Sequence, residues 1–192
     1  MKRFLLLGLI LVSSAAFAQT NVRVRATITA LEGDVLSVKT RDGRDLKVHL
    51  APDASVATAK AVTLAELPAN AYVGVTAMKK GDRLVALEVH TIPPQAASGV
   101  TPSDLQDGAT MNNANLAGTA KASGGNEITL QFKDGAAKIH VPDGTPIVTS
   151  VPADRSALKP GVYIYTNARQ EADGRIVAQR IQASKDGVRP PQ

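Results

Sequence analysis

The three histidines are the candidate metal ligands of this chain besides its carboxylates, because it contains no cysteine. Glu88 and His90 stand two residues apart on one face of a predicted strand, so their Cα atoms are about 7 Å apart. One metal ion between them would need a third ligand from another part of the chain. Glu88 and His90 are therefore the candidate metal site, surface positions are the main expectation for the histidines, and no cofactor is predicted.

The other two histidines are predicted to face solvent. His49 lies between apolar residues at positions 48 and 50, which the alternating pattern assigns to the core. His140 is the counterpart of His49 in the internal repeat described below, so the same orientation is expected for it.

The sequence contains none of the compact motifs that mark the common catalytic sites. A nucleophile flanked by glycines, an HExxH pair, a phosphate-binding glycine loop and closely spaced carboxylates are all missing. The glycine-rich stretch at residues 123–126 lies between two predicted strands and no helix follows it, so a turn explains it. We therefore predict that the protein is not an enzyme and has no catalytic residue.

Basic residues are spread singly along the predicted strands, as at Arg23, Arg25 and Lys47, without a run of five or more. This spacing is typical of a solvated strand face. Barrels that bind single-stranded nucleic acid stack bases on aromatic side chains over a basic groove. Beyond residue 18 the aromatic residues are Phe132 and three tyrosines, so no nucleic-acid partner is expected.

The strongest pattern in the sequence is an internal repeat with an offset of 91 or 92 positions. The aligned pairs include Asp42-Gly43 with Asp134-Gly135, His49 with His140, and Tyr72 with Tyr163. Such agreement indicates duplication of one structural unit. We place the first repeat at residues 19–92 and the second repeat at residues 114–184.

Each repeat alternates apolar and polar residues with period two, which is the pattern of a half-buried strand. The Asp-Gly pairs at 42–43 and 134–135 separate two such runs, and glycine takes the positive φ that a hairpin turn requires. A second hairpin is predicted at residues 72–89 and at residues 163–181. With its opening strand, each repeat therefore has five predicted strands.

A short helix is predicted between strands 3 and 4 of each repeat. Thr63 and Glu66 have the spacing of a capping box, and Asp154, a favourable N-cap residue, stands at the aligned position. Three strands, a short helix and two strands is the element order of the OB-fold, a five-stranded barrel. The sequence predicts an all-β fold of two tandem five-stranded OB-like barrels, although an SH3-like barrel or an unrelated β-roll shares much of this order.

The segments outside the repeats are predicted to lack regular structure. Residues 93–113 are rich in Pro, Ser, Gly, Asn and Gln and show no periodicity, so they are predicted to be a linker. Residues 185–192 contain Pro190 and Pro191 and are predicted to be a flexible tail.

Residues 1–18 have the features of a cleavable signal peptide. Lys2 and Arg3 precede an apolar stretch, and Ala16-Phe17-Ala18 supplies the small residues of a cleavage site. The apolar stretch is shorter than the roughly 20 residues needed to span a bilayer, and no later run reaches that length. We therefore expect a periplasmic protein with no transmembrane segment after cleavage.

The chain resembles a group of bacterial periplasmic proteins of unknown function that carry OB-like β-barrel repeats. The resembling stretches are residues 22–28, 74–78, 86–90, 110–115 and 186–191. Members of this group are often labelled as metal ABC transporter components, but this label implies little for the present chain. A permease would need several membrane spans, which this sequence does not have.

The chain departs from the pattern of this group within the joining segment. Where the group carries a Gly/Glu/His run followed by Pro-Trp-Asp, residues 97–105 contain no His, Glu or Trp. A metal or partner role that depends on that run is therefore not expected here. The sequence favours a non-catalytic periplasmic binding or accessory protein, with an envelope protein or a cell-surface polymer as partner. The alternative is a periplasmic metal-binding protein associated with metal transport or homeostasis; the ligand and the oligomeric state are left open.

Overall fold

The computed structural model describes residues 20–191, and its fold is all-β. The predicted signal peptide at residues 1–18 lies outside the described residues. The strands are β1 (Thr20–Glu32), β2 (Val35–Thr40), β3 (Asp45–Ala61), β4 (Tyr72–Lys80), β5 (Arg83–Thr91), β6 (Gly99–Pro102), β7 (Ala109–Ala122), β8 (Gly125–Phe132), β9 (Gly135–Pro142), β10 (Ile147–Ala153), β11 (Tyr163–Gln170) and β12 (Ile176–Ala183).

Strands β1, β2, β3, β12 and β11 form a closed five-stranded barrel, which we call the first barrel. Antiparallel pairs join β1 to β2, β2 to β3, β11 to β12 and β11 to β1. A parallel pair between β12 and β3 closes the ring. Alternate residues of β1, namely Val24, Ala26 and Ile28, are buried, as expected for a strand with one face on the core. The intervening residues, among them Arg23 and Arg25, point outward.

Strands β4, β5, β9, β8 and β7 pair in the same cyclic order, and we call this set the second ring. Antiparallel pairs join β4 to β5, β4 to β7, β7 to β8 and β8 to β9. A short parallel contact of Leu84 and Val85 with Ile139 and His140 links β5 to β9.

Each set of strands takes members from both repeats. The first barrel joins β1–β3 of the first repeat to β11 and β12 of the second, and the second ring joins β4 and β5 of the first repeat to β7–β9, which lie mostly in the second. The buried side chains follow the same division: Val24 and Ile164 share one core cluster, and Val75 and Ile128 share the other. The prediction of two tandem barrels, each closed on its own repeat, is therefore not confirmed.

Strand β3 is long enough to extend beyond the first barrel, and it is linked to the second ring through β10. Its first half pairs with β2, and its second half, from Val56 to Ala61, pairs with β10. Strand β10 in turn runs parallel to β5 at Val89 and His90. The strands consequently form one hydrogen-bonded system rather than two separate sheets.

The predicted short helices are single 3₁₀ turns of three residues each, at Leu64–Glu66 and Arg155–Ala157. Glu66 accepts hydrogen bonds from the backbone N–H of Thr63 at 2.7 Å and from its hydroxyl at 2.8 Å. Glu66 thus makes its part of the predicted capping box, whereas the side chain of Asp154 makes no cap hydrogen bond among residues 20–191. After the first turn the chain returns to an extended conformation at Leu67. Within residues 20–191, no helix has the length and apolar character needed to cross a bilayer.

The predicted linker and tail are both more ordered than expected. Residues 99–102 form β6, which pairs with the first half of β7, and β7 itself begins at Ala109. At the C-terminus, Lys185 and Val188 form a β-bridge, and Pro190 and Pro191 are buried. Pairing with a neighbouring strand supplies order that the Pro, Ser and Gly content does not predict.

Candidate functional site

Three cavities adjoin the segment at residues 103–105, between the first barrel and the second ring, and together we call them the cleft. The arginine groove has a volume of about 600 Å³ and is lined by Arg23, Arg25, Arg41 and Arg44. The small cavity, of about 220 Å³, and the tail cavity, of about 410 Å³, lie beside it. Asp104 lines the groove and the small cavity, whereas Leu105 lines the groove and the tail cavity.

A further cavity of about 630 Å³ lies on the second ring, beside Leu64 and Pro142. Its charged lining residues are Lys121 and Asp143. The cleft is the stronger candidate because charged side chains from separate strands converge there, which is the usual character of a binding site.

Arg25 is held in place by its neighbour across the strand pair. It lies directly opposite Tyr165 in the β1–β11 register, with its guanidinium carbon 5.2 Å from the centre of the tyrosine ring. A guanidinium over an aromatic face is attracted by the ring quadrupole. Burial raises the pKa of the Tyr165 hydroxyl, so this group stays neutral beside the arginine.

Asp104 binds Arg25 through both carboxylate oxygens. Arg25 Nη1 donates to Oδ2 at 3.0 Å and Nη2 donates to Oδ1 at 2.9 Å, and Arg23 Nη1 lies 3.1 Å from Oδ2. These hydrogen bonds, Arg25 first, hold the pKa of the Asp104 carboxyl well below its usual range. The same contact raises the pKa of Arg25. Bidentate arginine–carboxylate pairs are geometrically specific, so the two arginines form a defined carboxylate site.

The turn between β2 and β3 supplies the opposite wall of the arginine groove. Gly43 has a φ of 84°, which supports the sequence-based hairpin at Asp42-Gly43. Arg44 Nε lies 2.6 Å from Asp42 Oδ2, so the charge of Arg44 is matched within the turn. Arg41 lines both the groove and the tail cavity and adds a further positive charge there.

Glu88 and His90 lie on one side of β5 and contact each other. His90 is 6 % exposed and Glu88 is 8 % exposed. Glu88 Oε1 lies 3.1 Å from His90 Nδ1, at ion-pair distance but outside hydrogen-bond geometry. The expectation that His90 is a surface histidine is wrong, because β5 lies between β4 and β10 and the His90 ring packs against Gly74 of β4.

Gly74 makes room for the His90 ring. A Cβ at this position would lie 2.6 Å from His90 Nε2 and 3.2 Å from Asn113 Oδ1. Asn113 pairs with Gly74 across β4 and β7, as Arg25 pairs with Tyr165 across β1 and β11. In the first barrel, therefore, Tyr165 packs against Arg25. At the corresponding place in the second ring, Gly74 lies next to His90 and Asn113.

Several polar atoms around the small cavity are buried without a hydrogen-bond partner among residues 20–191. These atoms are Arg25 Nε, His90 Nδ1 and Asn113 Oδ1. The orientation of the Asn113 amide is fixed, because its Nδ2 donates to the Ala97 carbonyl at 3.0 Å. Buried polar atoms normally have partners, so this concentration marks the cavity as a place where a ligand would gain hydrogen bonds.

The candidate metal ligands Glu88 and His90 are thus together, but a third ligand is not beside them. No group of three or more His, Cys, Asp or Glu side chains occurs in the part of the chain that the structure describes. His49 is partly exposed at the β3 position opposite Val35 and Val177. His140 is also only partly exposed, and its Nδ1 is buried, so its ring does not face solvent freely as expected.

Sequence reasoning assigned Arg23 and Arg25 to a solvated face and placed Asp104 in a linker. The Arg-x-Arg spacing puts both guanidinium groups on one side of β1. This spacing was the feature of the sequence that could have indicated an anion-binding site. Their partner could not be recognised, because Asp104 is far away in sequence and carries no motif.

No protein-family model, curated protein or solved structure matches this chain.

Proposed function

We propose that this chain is a non-catalytic periplasmic binding or accessory protein that binds its partner, an envelope protein or a cell-surface polymer, in the cleft. The observation that carries this proposal is the convergence of Arg23 and Arg25 on one carboxylate that lines both the arginine groove and the small cavity. Ligand sites are typically concave and contain a few convergent polar groups. The cleft has both features.

The scaffold in this proposal is a pair of OB-like barrels that arose by duplication and exchanged their last two strands. The identical cyclic order of the first barrel and the second ring supports it. So does the division of the cores, since each combines side chains from residues of both repeats. The exchange places outward-facing residues of the two repeats next to each other and thereby creates the cleft.

Site-specific photo-cross-linking in cells tests the proposal. Benzoylphenylalanine replaces Thr101, an exposed residue that lines the small cavity, or, as the control, Val151, which is 40 % exposed on β10. We expect one partner to be captured at position 101 and not at 151. The partner, once purified, should bind the unmodified chain with saturation.

Equal capture at both positions would contradict the assignment to the cleft. Hydrolytic turnover by the pure protein would contradict its non-catalytic character.

The alternative function, binding of a metal ion for transport or homeostasis, is favoured by the 3.1 Å contact between Glu88 and His90. It requires a further ligand, such as one from the metal-carrying partner or water. Calorimetric titration with zinc, copper and nickel tests this alternative. A dissociation constant no tighter than about 1 mM, or one unchanged in His90→Ala, would eliminate it.

A further inference from the structure

We propose that the arginine pair Arg23–Arg25 binds a carboxylate-bearing peptide segment of the partner, and that Asp104 occupies this site in the free protein. The inference rests on the proposed function and adds the chemical class of the ligand. It also assigns a regulatory role to residues 103–108, which tether the internal carboxylate.

The first argument is that the Arg25 side chain is preorganised to bind a carboxylate. Arg25 is packed on Tyr165 and its side chain is only 20 % exposed, so little side-chain freedom remains to be lost on binding. Its two terminal nitrogens point to the two oxygens of one carboxylate. Arginine is suited to planar, bidentate recognition of this kind.

The second argument is that the groove offers more than Asp104 uses. Arg25 Nε is buried and makes no hydrogen bond to residues 20–191, although both terminal nitrogens are paired. Arg41 adds a further positive charge to the lining of the groove, and the ion pairs of Asp104 are with Arg23 and Arg25. A larger acidic segment would therefore meet the charge of Arg41 in addition to the two arginines that Asp104 contacts.

The third argument is the way in which residues 103–108 are attached. Their backbone hydrogen bonds join them to the first residue of β7: Ser103 N–H donates to the Ala109 carbonyl at 2.9 Å, and Ala109 N–H donates to the Gln106 carbonyl at 3.0 Å. The polar contact with the first barrel is the side chain of Asp104. This carboxylate can leave the arginines without unravelling its own turn.

The segment that contains Asp104 also indicates which residues the partner segment should contain. It is a peptide in which the acidic Asp104 is followed by Leu105, and Leu105 lies between the arginine groove and the tail cavity. We therefore expect a partner segment in which a carboxylate is followed by an apolar side chain. If the internal carboxylate occupies the site about nine-tenths of the time, it weakens apparent affinity about tenfold.

The test uses a fluorescent, end-capped peptide with the sequence of residues 101–106 and the full exported chain. Anisotropy titrations compare wild type with Asp104→Ala and with the matched control Asp107→Ala, which removes an exposed acid three residues away. We expect Asp104→Ala to bind the peptide about tenfold more tightly than wild type, and Asp107→Ala to match wild type. A peptide with Asn in place of Asp should not bind Asp104→Ala.

The inference would be overturned by equal affinities of Asp104→Ala and Asp107→Ala, by full affinity in Asp104→Ala/Arg25→Met, or by equal competition from inorganic phosphate at constant ionic strength. Circular dichroism checks the fold of each variant. If Arg25→Met does not fold, Arg23→Met, at a side chain that is 50 % exposed, replaces it and should weaken binding. Position-specific cross-linking at Thr101 without peptide binding would overturn this inference and leave the proposed function standing.

Discussion

Arg25 and Tyr165 lie directly opposite each other in the β1–β11 pair, although one belongs to the first strand and the other to the eleventh. Their contact exists because β11, from residues of the second repeat, pairs with β1, from residues of the first repeat. In the scaffold that we propose, strand exchange creates the cleft. Its small cavity is lined by Arg25 and His90 from the first repeat and by Tyr165 from the second.

Two matched substitutions within the second repeat test the strand exchange. Ile164 and Ile128 are both fully buried, but they belong to different core clusters. Truncating either to alanine should cost about 2–5 kcal/mol of unfolding free energy. We expect Ile164→Ala to increase hydrogen exchange mainly in β1–β3, β11 and β12, and Ile128→Ala to do so mainly in β4, β5 and β7–β9.

Each variant is the control for the other, because both alter the same repeat with the same change in size. If both substitutions loosened the same set of strands, the two cores would each consist of a single repeat, and the exchanged arrangement would be incorrect.

The substitution Gly74→Ala tests the close packing beneath His90. The added methyl group would lie 2.6 Å from His90 Nε2 in a buried position. Overpacking of this kind destabilises a protein by about 1–3 kcal/mol. Urea unfolding followed by circular dichroism measures the loss.

Gly118→Ala is the matched control on an exposed strand position, where an added Cβ meets nothing within 4 Å. A loss no larger in Gly74→Ala than in Gly118→Ala would show that His90 does not pack against Gly74. Recovery of stability in Gly74→Ala/His90→Ala would identify the histidine ring as the clashing group.

Much of the local structure could be predicted from the sequence. Period-two alternation located the strands of the predicted hairpins, but not β6, β10 or the second half of β3. The Asp-Gly pair at residues 42–43 marked a real hairpin between β2 and β3. Alternation identifies the buried face of a strand, since successive side chains point to opposite sides. Alternation does not specify which other strand pairs with a given strand along its edge.

This limit explains why the exchange could not be predicted. In the proposed duplication, both repeats have the same order of predicted strands. The sequence pattern therefore does not indicate beside which three strands the last hairpin of each repeat lies. The continuous strand β3, whose second half pairs with β10, carries the chain out of the first barrel before β4 begins. The length of β3 thus determines which strands can pair with β1–β3, and the alternating pattern contains no information about that length.

The burial of Glu88 and His90 escaped prediction for a related reason. The register between β4 and β5 shifts between Thr76 and Ala77, because Thr76 pairs with Glu88 and Ala77 with Ala86. Such a bulge leaves one residue unpaired and re-aims its neighbours. Glu88, Val89 and His90 are buried in succession as a result of cover on both sides of β5.

The Asp104 contact should resist acidification. Its arginine partners lower the pKa of this carboxyl in the folded chain below the ordinary value of 3.8. A lowered pKa means that the contact stabilises the fold above the ordinary pKa and is lost as pH falls through the folded-state value. We therefore expect the pair to persist at pH 4, as measured by the ¹³C shift of the Asp104 carboxyl during an acid titration.

Arg25→Met should move the pKa of Asp104 up toward the ordinary value. Arg44→Met is the control, because Arg44 pairs with Asp42. A titration of Asp104 that is the same in wild type and in Arg25→Met would refute the assigned cause of the shift.

The most direct test of the account is to observe the Arg25 side chain while an acidic peptide binds. In the ¹H–¹⁵N spectrum of Asp104→Ala, the Nε–H signal of Arg25 reports a group that is buried and makes no protein hydrogen bond in the described structure. We predict that this signal shifts with saturation as the peptide of residues 101–106 is added, at the midpoint found by anisotropy, whereas the Nε–H signal of Arg44 stays in place. Binding of the peptide with no change at Arg25 would contradict the account.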